Sequence, residues 1–133
     1  MARTALSLVV DRFKALAHPA RLRMMAMLGL GDLCVCQLTA VLRLAPSTVS
    51  AHLAALRRGG LVGERKVGRW VYYHLEPEGE RLLAQLREEL TGDPQIAQDA
   101  ALVGKLRCID PQVLCDADLD LSRLGLLAPQ LKR

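Results

Sequence analysis

The feature that most restricts the fold of this sequence is a change of hydrophobic period at Gly59-Gly60. Upstream, apolar residues recur at helical spacing. Downstream, the β-prone residues Val62, Trp70, Val71, Tyr72 and Tyr73 fall in two runs, Leu61 to Val67 and Arg69 to Leu75, separated by a turn at Gly68. A two-stranded hairpin must therefore follow directly on a helix. The upstream part divides into four helices. Leu6, Val9, Val10, Phe13 and Leu16 mark the first, from Ala5 to Ala17, which stops before Pro19. Pro19 opens the second, whose apolar face of Leu22, Met24, Met25 and Leu28 runs up to Gly29. Asp32 is expected to cap a short third helix through Val35, Leu38, Val41 and Leu42. After the turn Leu44-Ala45-Pro46, Ser47 and Thr48 are expected to cap and open a fourth, Thr48 to Arg58. Beyond the hairpin, Pro77 starts a fifth helix with a stripe of Leu82, Leu83, Leu86 and Leu90, ended by Gly92-Asp93-Pro94. A further short helix is expected from Gln95 to Arg107, and Pro111 argues against a continuous helix between Cys108 and Cys115.

At 133 residues and 51% apolar, the chain has enough material for one core without disulfides. With only 3% aromatic residues, it favours helix packed on helix. The expected organisation is one domain over residues 1–91 and a C-terminal tail over 92–133 that carries Cys108 and Cys115. No apolar run reaches the roughly 18 residues of a membrane span. The start, MARTALSLVVDRF, is charged too early for a signal peptide. The expected location is the cytoplasm, where the four cysteines stay reduced and metal or redox chemistry is favoured over bridges.

The net charge of +4 is unevenly spread. Between Val41 and Glu76 stand Arg43, Arg57, Arg58, Arg65, Lys66 and Arg69 against Glu64 and Glu76, whereas Asp110, Asp116, Asp118 and Asp120 cluster in the tail. A basic middle points to a polyanion-binding face. Two short helices joined by a tight turn and followed by a basic hairpin give the winged helix-turn-helix pattern: mainly α, with a β-hairpin wing, and the second helix of the pair entering the major groove. Ser47, Thr48, Ser50, Ala51 and His52 are expected to face outward while Val49, Leu53 and Leu56 pack inward. The candidate contacts to double-stranded operator DNA are Ser47, Thr48, Ser50, His52, Arg57, and, on the wing, Lys66 and Arg69.

Cys34 and Cys36 fall at the start of the third helix, where the macrodipole favours thiolates, the form that binds soft ions. In a regular helix residues two apart point to nearly opposite faces, so one ion could hold both sulfurs only if the first turn were distorted. The stretch Asp32-Leu33-Cys34-Val35-Cys36-Gln37-Leu38 resembles the metal-binding box of arsenic-sensing repressors of the ArsR/SmtB family. His18-Pro19-Ala20-Arg21-Leu22-Arg23, Ser47-Thr48-Val49-Ser50-Ala51-His52-Leu53 and Gly68-Arg69-Trp70-Val71-Tyr72-Tyr73 are similar to that family as well, over about Arg12 to Leu90. The resemblance implies a homodimer built from the first and last helices, which represses from an inverted-repeat operator and releases it when the inducer binds.

Two departures stand out. The best-known family version has a third cysteine where this chain has Thr39, and often a basic residue where Ala51 stands. Trivalent arsenic and antimony prefer three thiolates, so Cys108 or Cys115, from either subunit, is expected to complete the Cys34/Cys36 site; Cys108 is preferred because it lies nearer the folded body. Alternatively, Cys108 and Cys115 form a separate site, or one of them is idle. His18, His52 and His74 offer no zinc set on the fifth helix, and all-sulfur ligation suits As(III), Sb(III), Cd(II) or Pb(II), with the Cys-Val-Cys box tilting toward As(III). A thiol-oxidation switch in the same fold is the alternative. No acid-base pair, phosphate loop or Cys-x-x-Cys redox motif speaks for an enzyme.

Overall fold

The computed structural model describes residues 4–127. Its elements run α1 (Ala5–Leu16), α2 (Pro19–Leu28), β1 (Leu33–Cys34), α3 (Val35–Leu42), α4 (Pro46–Arg58), β2 (Val62–Val67), β3 (Trp70–Leu75), α5 (Pro77–Leu90), α6 (Pro94–Leu106) and α7 (Pro111–Asp116). The architecture is a winged helix-turn-helix: α3 and α4 are the paired helices, and β2 and β3 form the wing. The hairpin pairs Val62 with Leu75 through to Val67 with Trp70, and Gly68 turns it at φ 61°, a conformation that favours glycine.

Two element starts differ from the sequence expectation. Leu33 and Cys34 are not helical; they form β1, antiparallel to β3, with Leu33 opposite Tyr73 and Cys34 opposite Tyr72. The sheet order is β1-β3-β2, so the residue that caps α3 is Cys34 rather than Asp32. Helix α4 begins at Pro46 behind an Ala45 N-cap, because proline suits a first helical position where no N–H is needed. Ser47 and Thr48 therefore lie in the first turn of α4 instead of capping it.

The core gathers the inner faces of all these elements. Met24, Leu38, Val49, Leu53, Leu56 and Leu61 are completely shielded from solvent. Val49, Leu53 and Leu56 face inward as their spacing predicts, and they fix the roll of α4. Gly79 allows α5 to approach closely: a Cβ there would stand 2.2 Å from the Leu61 carbonyl oxygen.

Residues beyond Gly92 pack on this body. Leu102, Val103 and Leu106 of α6, Leu114 of α7 and Leu121 belong to the same buried cluster. Helix α6 docks on α2 and α3, and α7 docks on α3. The α2–α6 contact is pinned by Arg23, whose Nε and Nη2 donate to the two carboxylate oxygens of buried Asp99 at 2.8 and 2.9 Å. One face of α1 is left uncovered, with Leu6 75% and Phe13 64% exposed beside Val9 and Val10. No helix among the described residues is long and apolar enough to cross a membrane.

Candidate sensor site and nucleic-acid interface

The Cys34/Cys36 pair sits where three elements meet. Cys34 has extended backbone (φ −80°, ψ 158°) at the end of β1, whereas Cys36 lies in the first turn of α3. The strand-to-helix bend removes the opposite-faces problem of a regular helix, and both side chains are buried. Gln37 completes a capping box around them: its Oε1 accepts from the Cys34 N–H at 2.9 Å, and its own N–H points back to the Cys34 sulfur.

This geometry divides the labour between the thiols. The Cys36 S–H donates to the Cys34 sulfur, and that donor, aided by the N–H groups of the helix start, lowers Cys34 to about 7 against burial. The same hydrogen bond, together with burial, pushes Cys36 well above the ordinary thiol range, so it stays protonated. The Cys115 sulfur on α7 adds to that upward push on Cys36. Tyr72, opposite Cys34 on β3, is raised by burial and then by the two sulfurs.

The tail cysteines occupy different surroundings. Cys115 is half-buried against the core near Cys36. Cys108 is exposed just past α6, its Sγ directed at the Gly104 carbonyl at 3.9 Å. Nearness to the folded body thus favours Cys115 over Cys108, contrary to the preference drawn from the sequence, because the bend between α6 and α7 folds the later residue back onto α3. Among the described residues, no three Cys, His, Asp or Glu side chains already surround a single point as an ion would need. Two buried thiols separated by one residue and a third on the adjoining helix suit a thiophilic ion by donor chemistry.

Ser47, Thr48, Ser50 and Ala51 stand exposed along the N-terminal half of α4, whose start no side chain caps. Uncapped N–H groups there favour anions. His52 is the exception to the outward-facing expectation. It is buried, its Nδ1 accepts from Arg21 Nε at 3.1 Å, and its ring packs 4.4 Å from that of His18. Burial, followed by the nearby His18 and Arg21, lowers its pKa, so the neutral ring braces α4 against α2. The residue next to an outward Ala51 turns inward because Val49, Leu53 and Leu56 set the roll of the helix.

Arg57 is exposed but engaged, with Nη1 3.0 Å from Glu64 Oε1 on β2; Glu64 Oε2 in turn accepts from the Tyr73 hydroxyl at 2.8 Å. Lys66 and Arg69 flank the wing turn, both exposed, with the Arg69 guanidinium 5.0 Å above the Trp70 ring. Arg65 reaches the other way, pairing with Asp32 at 3.1 Å just ahead of β1.

Residues 18–64 match the model of a family described as bacterial regulatory proteins of the arsR family. Over 83 residues the chain is 41% identical to the arsenical resistance operon repressor of Escherichia coli, covering 62% of this chain and 71% of that one. The chain belongs to the arsR family. It is also 48% identical over 67 residues to the arsenic resistance transcriptional regulator ArsR1 of Pseudomonas putida, a match spanning about half of each chain, 50% and 52%. A homodimeric winged helix-turn-helix DNA-binding domain from Mycobacterium bovis, described as a possible ArsR-family regulator, superposes with a TM-score of 0.60 at 31% identity, covering 67% of this chain and 89% of that one.

In this arsR-family chain the features that the sequence did not disclose are β1, the Arg21–His52 contact and the Arg57–Glu64–Tyr73 chain. A two-residue strand carries no periodicity, and pairs 31 residues apart leave no local signal. The matched family segment ends at Glu64, so α6 and α7 lie outside it.

Proposed function

We propose that this chain is a transcriptional repressor that holds double-stranded operator DNA as an ion-free homodimer and releases it when As(III), or its congener Sb(III), is captured by Cys34 and Cys36. The observation that carries the reading is the position of the pair. Cys34 is hydrogen-bonded in register with β3 of the wing and caps α3, which packs against α4. An ion that gathers these sulfurs must move backbone shared by both DNA-facing elements.

Ser47, Thr48 and Ser50 read the groove from the start of α4, with Lys66 and Arg69 on phosphates. The exposed α1 face of Leu6, Val9, Val10 and Phe13 supports dimerisation, which would set two α4 helices about 34 Å apart, one turn of DNA. Linkage demands that the ion bind the DNA complex less tightly than the free protein, and a coupling of about 1–3 kcal/mol gives roughly 5- to 150-fold release. The test is a gel shift on the chain's own promoter with arsenite, antimonite, cadmium, lead and peroxide. Arsenite should release the intact protein, while Cys34→Ser and Cys36→Ser should hold DNA yet ignore arsenite. Release of both variants by arsenite overturns the reading, and release by peroxide alone replaces the ion with thiol oxidation.

A further inference from the structure

Resting on that reading, we infer that the third sulfur of the sensor is Cys115 of the same chain, delivered by α7, so that each subunit carries a complete three-thiolate site formed by the end of β1, the first turn of α3 and α7. Helix α7 is seated on α3 and held there from both sides. Leu114, next to Cys115, is buried in the common core, as is Leu121 beyond the helix. The chain then turns sharply through left-handed Asp118 and Leu119, and the Leu119 N–H closes on the Leu114 carbonyl at 3.0 Å. Upstream, Asp110 caps α7 through the Gln112 N–H at 2.8 Å. The consequence is a half-buried Cys115 on a helix that docks on α3, the helix whose first turn carries Cys36.

With α7 docked on α3, a sulfur from the partner subunit would compete with Cys115 for the pair, and lifting α7 away to admit it would expose Leu114. Cys108 would have to leave the surface beyond α6 and pass the α6–α7 bend. The missing family cysteine at Thr39 fits the same account. Thr39 is buried and its hydroxyl donates to the Val35 carbonyl at 2.7 Å, so that position serves the helix.

Capture is ligand exchange without change of oxidation state. Arsenous acid, As(OH)3, loses three hydroxyls as three As–S bonds form, each hydroxyl leaving as water with a thiol proton, or with a solvent proton where the sulfur is already thiolate. The sulfurs do not yet surround one point, so closing the third bond draws α7 toward β1 and pulls on the wing strand paired with it.

The test measures arsenic coordination by X-ray absorption on the full chain, with bound arsenic per chain after desalting. Three sulfurs are expected around arsenic in the intact protein and in Cys108→Ser, and two in both Cys115→Ser and Cys115→Ala. Mixed dimers of a Cys34→Ser/Cys36→Ser subunit with a Cys115→Ser subunit, isolated by two tags, are expected to hold no three-sulfur arsenic. Three sulfurs in either Cys115 variant, a fall to two in Cys108→Ser, or a restored three-sulfur site in the mixed dimer would each overturn the inference while leaving the Cys34/Cys36 reading intact. Undiminished arsenic on the Cys34→Ser/Cys36→Ser protein would overturn that reading itself.

Discussion

Replacing Arg23 with alanine should cost more than any neutralisation of its partner. Asp99 is 2% exposed and accepts from Arg23 Nε and Nη2 and from Gln95 Nε2 at 3.0 Å, whereas the Arg23 side chain is 22% exposed. Arg23→Ala leaves a buried carboxylate with a single neutral donor. Removing one partner of a buried pair costs about 3–5 kcal/mol, and the partial exposure of the arginine places this case near 3 kcal/mol. Asp99→Asn leaves instead an arginine that can turn to water, and the loss of charge-assisted bonds costs about 1.5 kcal/mol. For a chain of this size, 3 kcal/mol lowers the urea midpoint by about 1.5–2 M and the thermal midpoint by roughly 10 °C. Urea unfolding followed by circular dichroism, at fixed protein concentration because association adds stability, should rank Arg23→Ala below Asp99→Asn. The double variant Arg23→Ala/Asp99→Ala should show a coupling of at least about 1 kcal/mol. An Arg23→Ala midpoint within about 0.5 kcal/mol of the parent, or an inverted order, would refute the account of how α6 is anchored.

Two further outcomes are expected. Lys66→Ala and Arg69→Ala should each weaken operator binding similarly on every sequence and flatten the log-affinity against log-salt slope by about 0.9 for each phosphate no longer neutralised; an unchanged slope would take the wing off the phosphates. Burial and the hydrogen bond to Glu64 hold the Tyr73 phenol at about 12 when folded, above the ordinary value of 10.0, so the folded state binds that proton more tightly. The stability it lends is whole below about pH 10 and fades as pH rises toward 12, and Tyr73→Phe should remove this alkaline limb in urea titrations; identical alkaline limbs would place the phenol elsewhere.

Most of the architecture is legible in the residues. The periods of α1, α2, α4 and α5, the proline and glycine punctuation and the Gly68 turn fix the order of elements, because each is a local preference repeated over several residues. The inward set Val49, Leu53 and Leu56 follows from the same spacing. His52 lies on that stripe too, three residues after Val49 and four before Leu56, but its polar ring reads as a DNA contact until Arg21 and His18 are seen to meet it. Ser47 and Thr48 read as caps because their hydroxyls suit that role, but Pro46 already begins the helix.

The candidate site divides along the same line. Sequence alone determined that two cysteines stand at the entrance to the DNA-binding helices and that the chain lacks a third beside them, since identity and spacing are properties of the linear chain. Only the tertiary structure decided that Cys34 is a strand residue bound to the wing, that its thiol is held low by Cys36 and the helix-start N–H groups, and that α7 carries Cys115 back onto α3 while Cys108 stays at the surface. Those facts depend on hydrogen bonds and packing between segments distant in the chain, whose energies arise only once the segments meet.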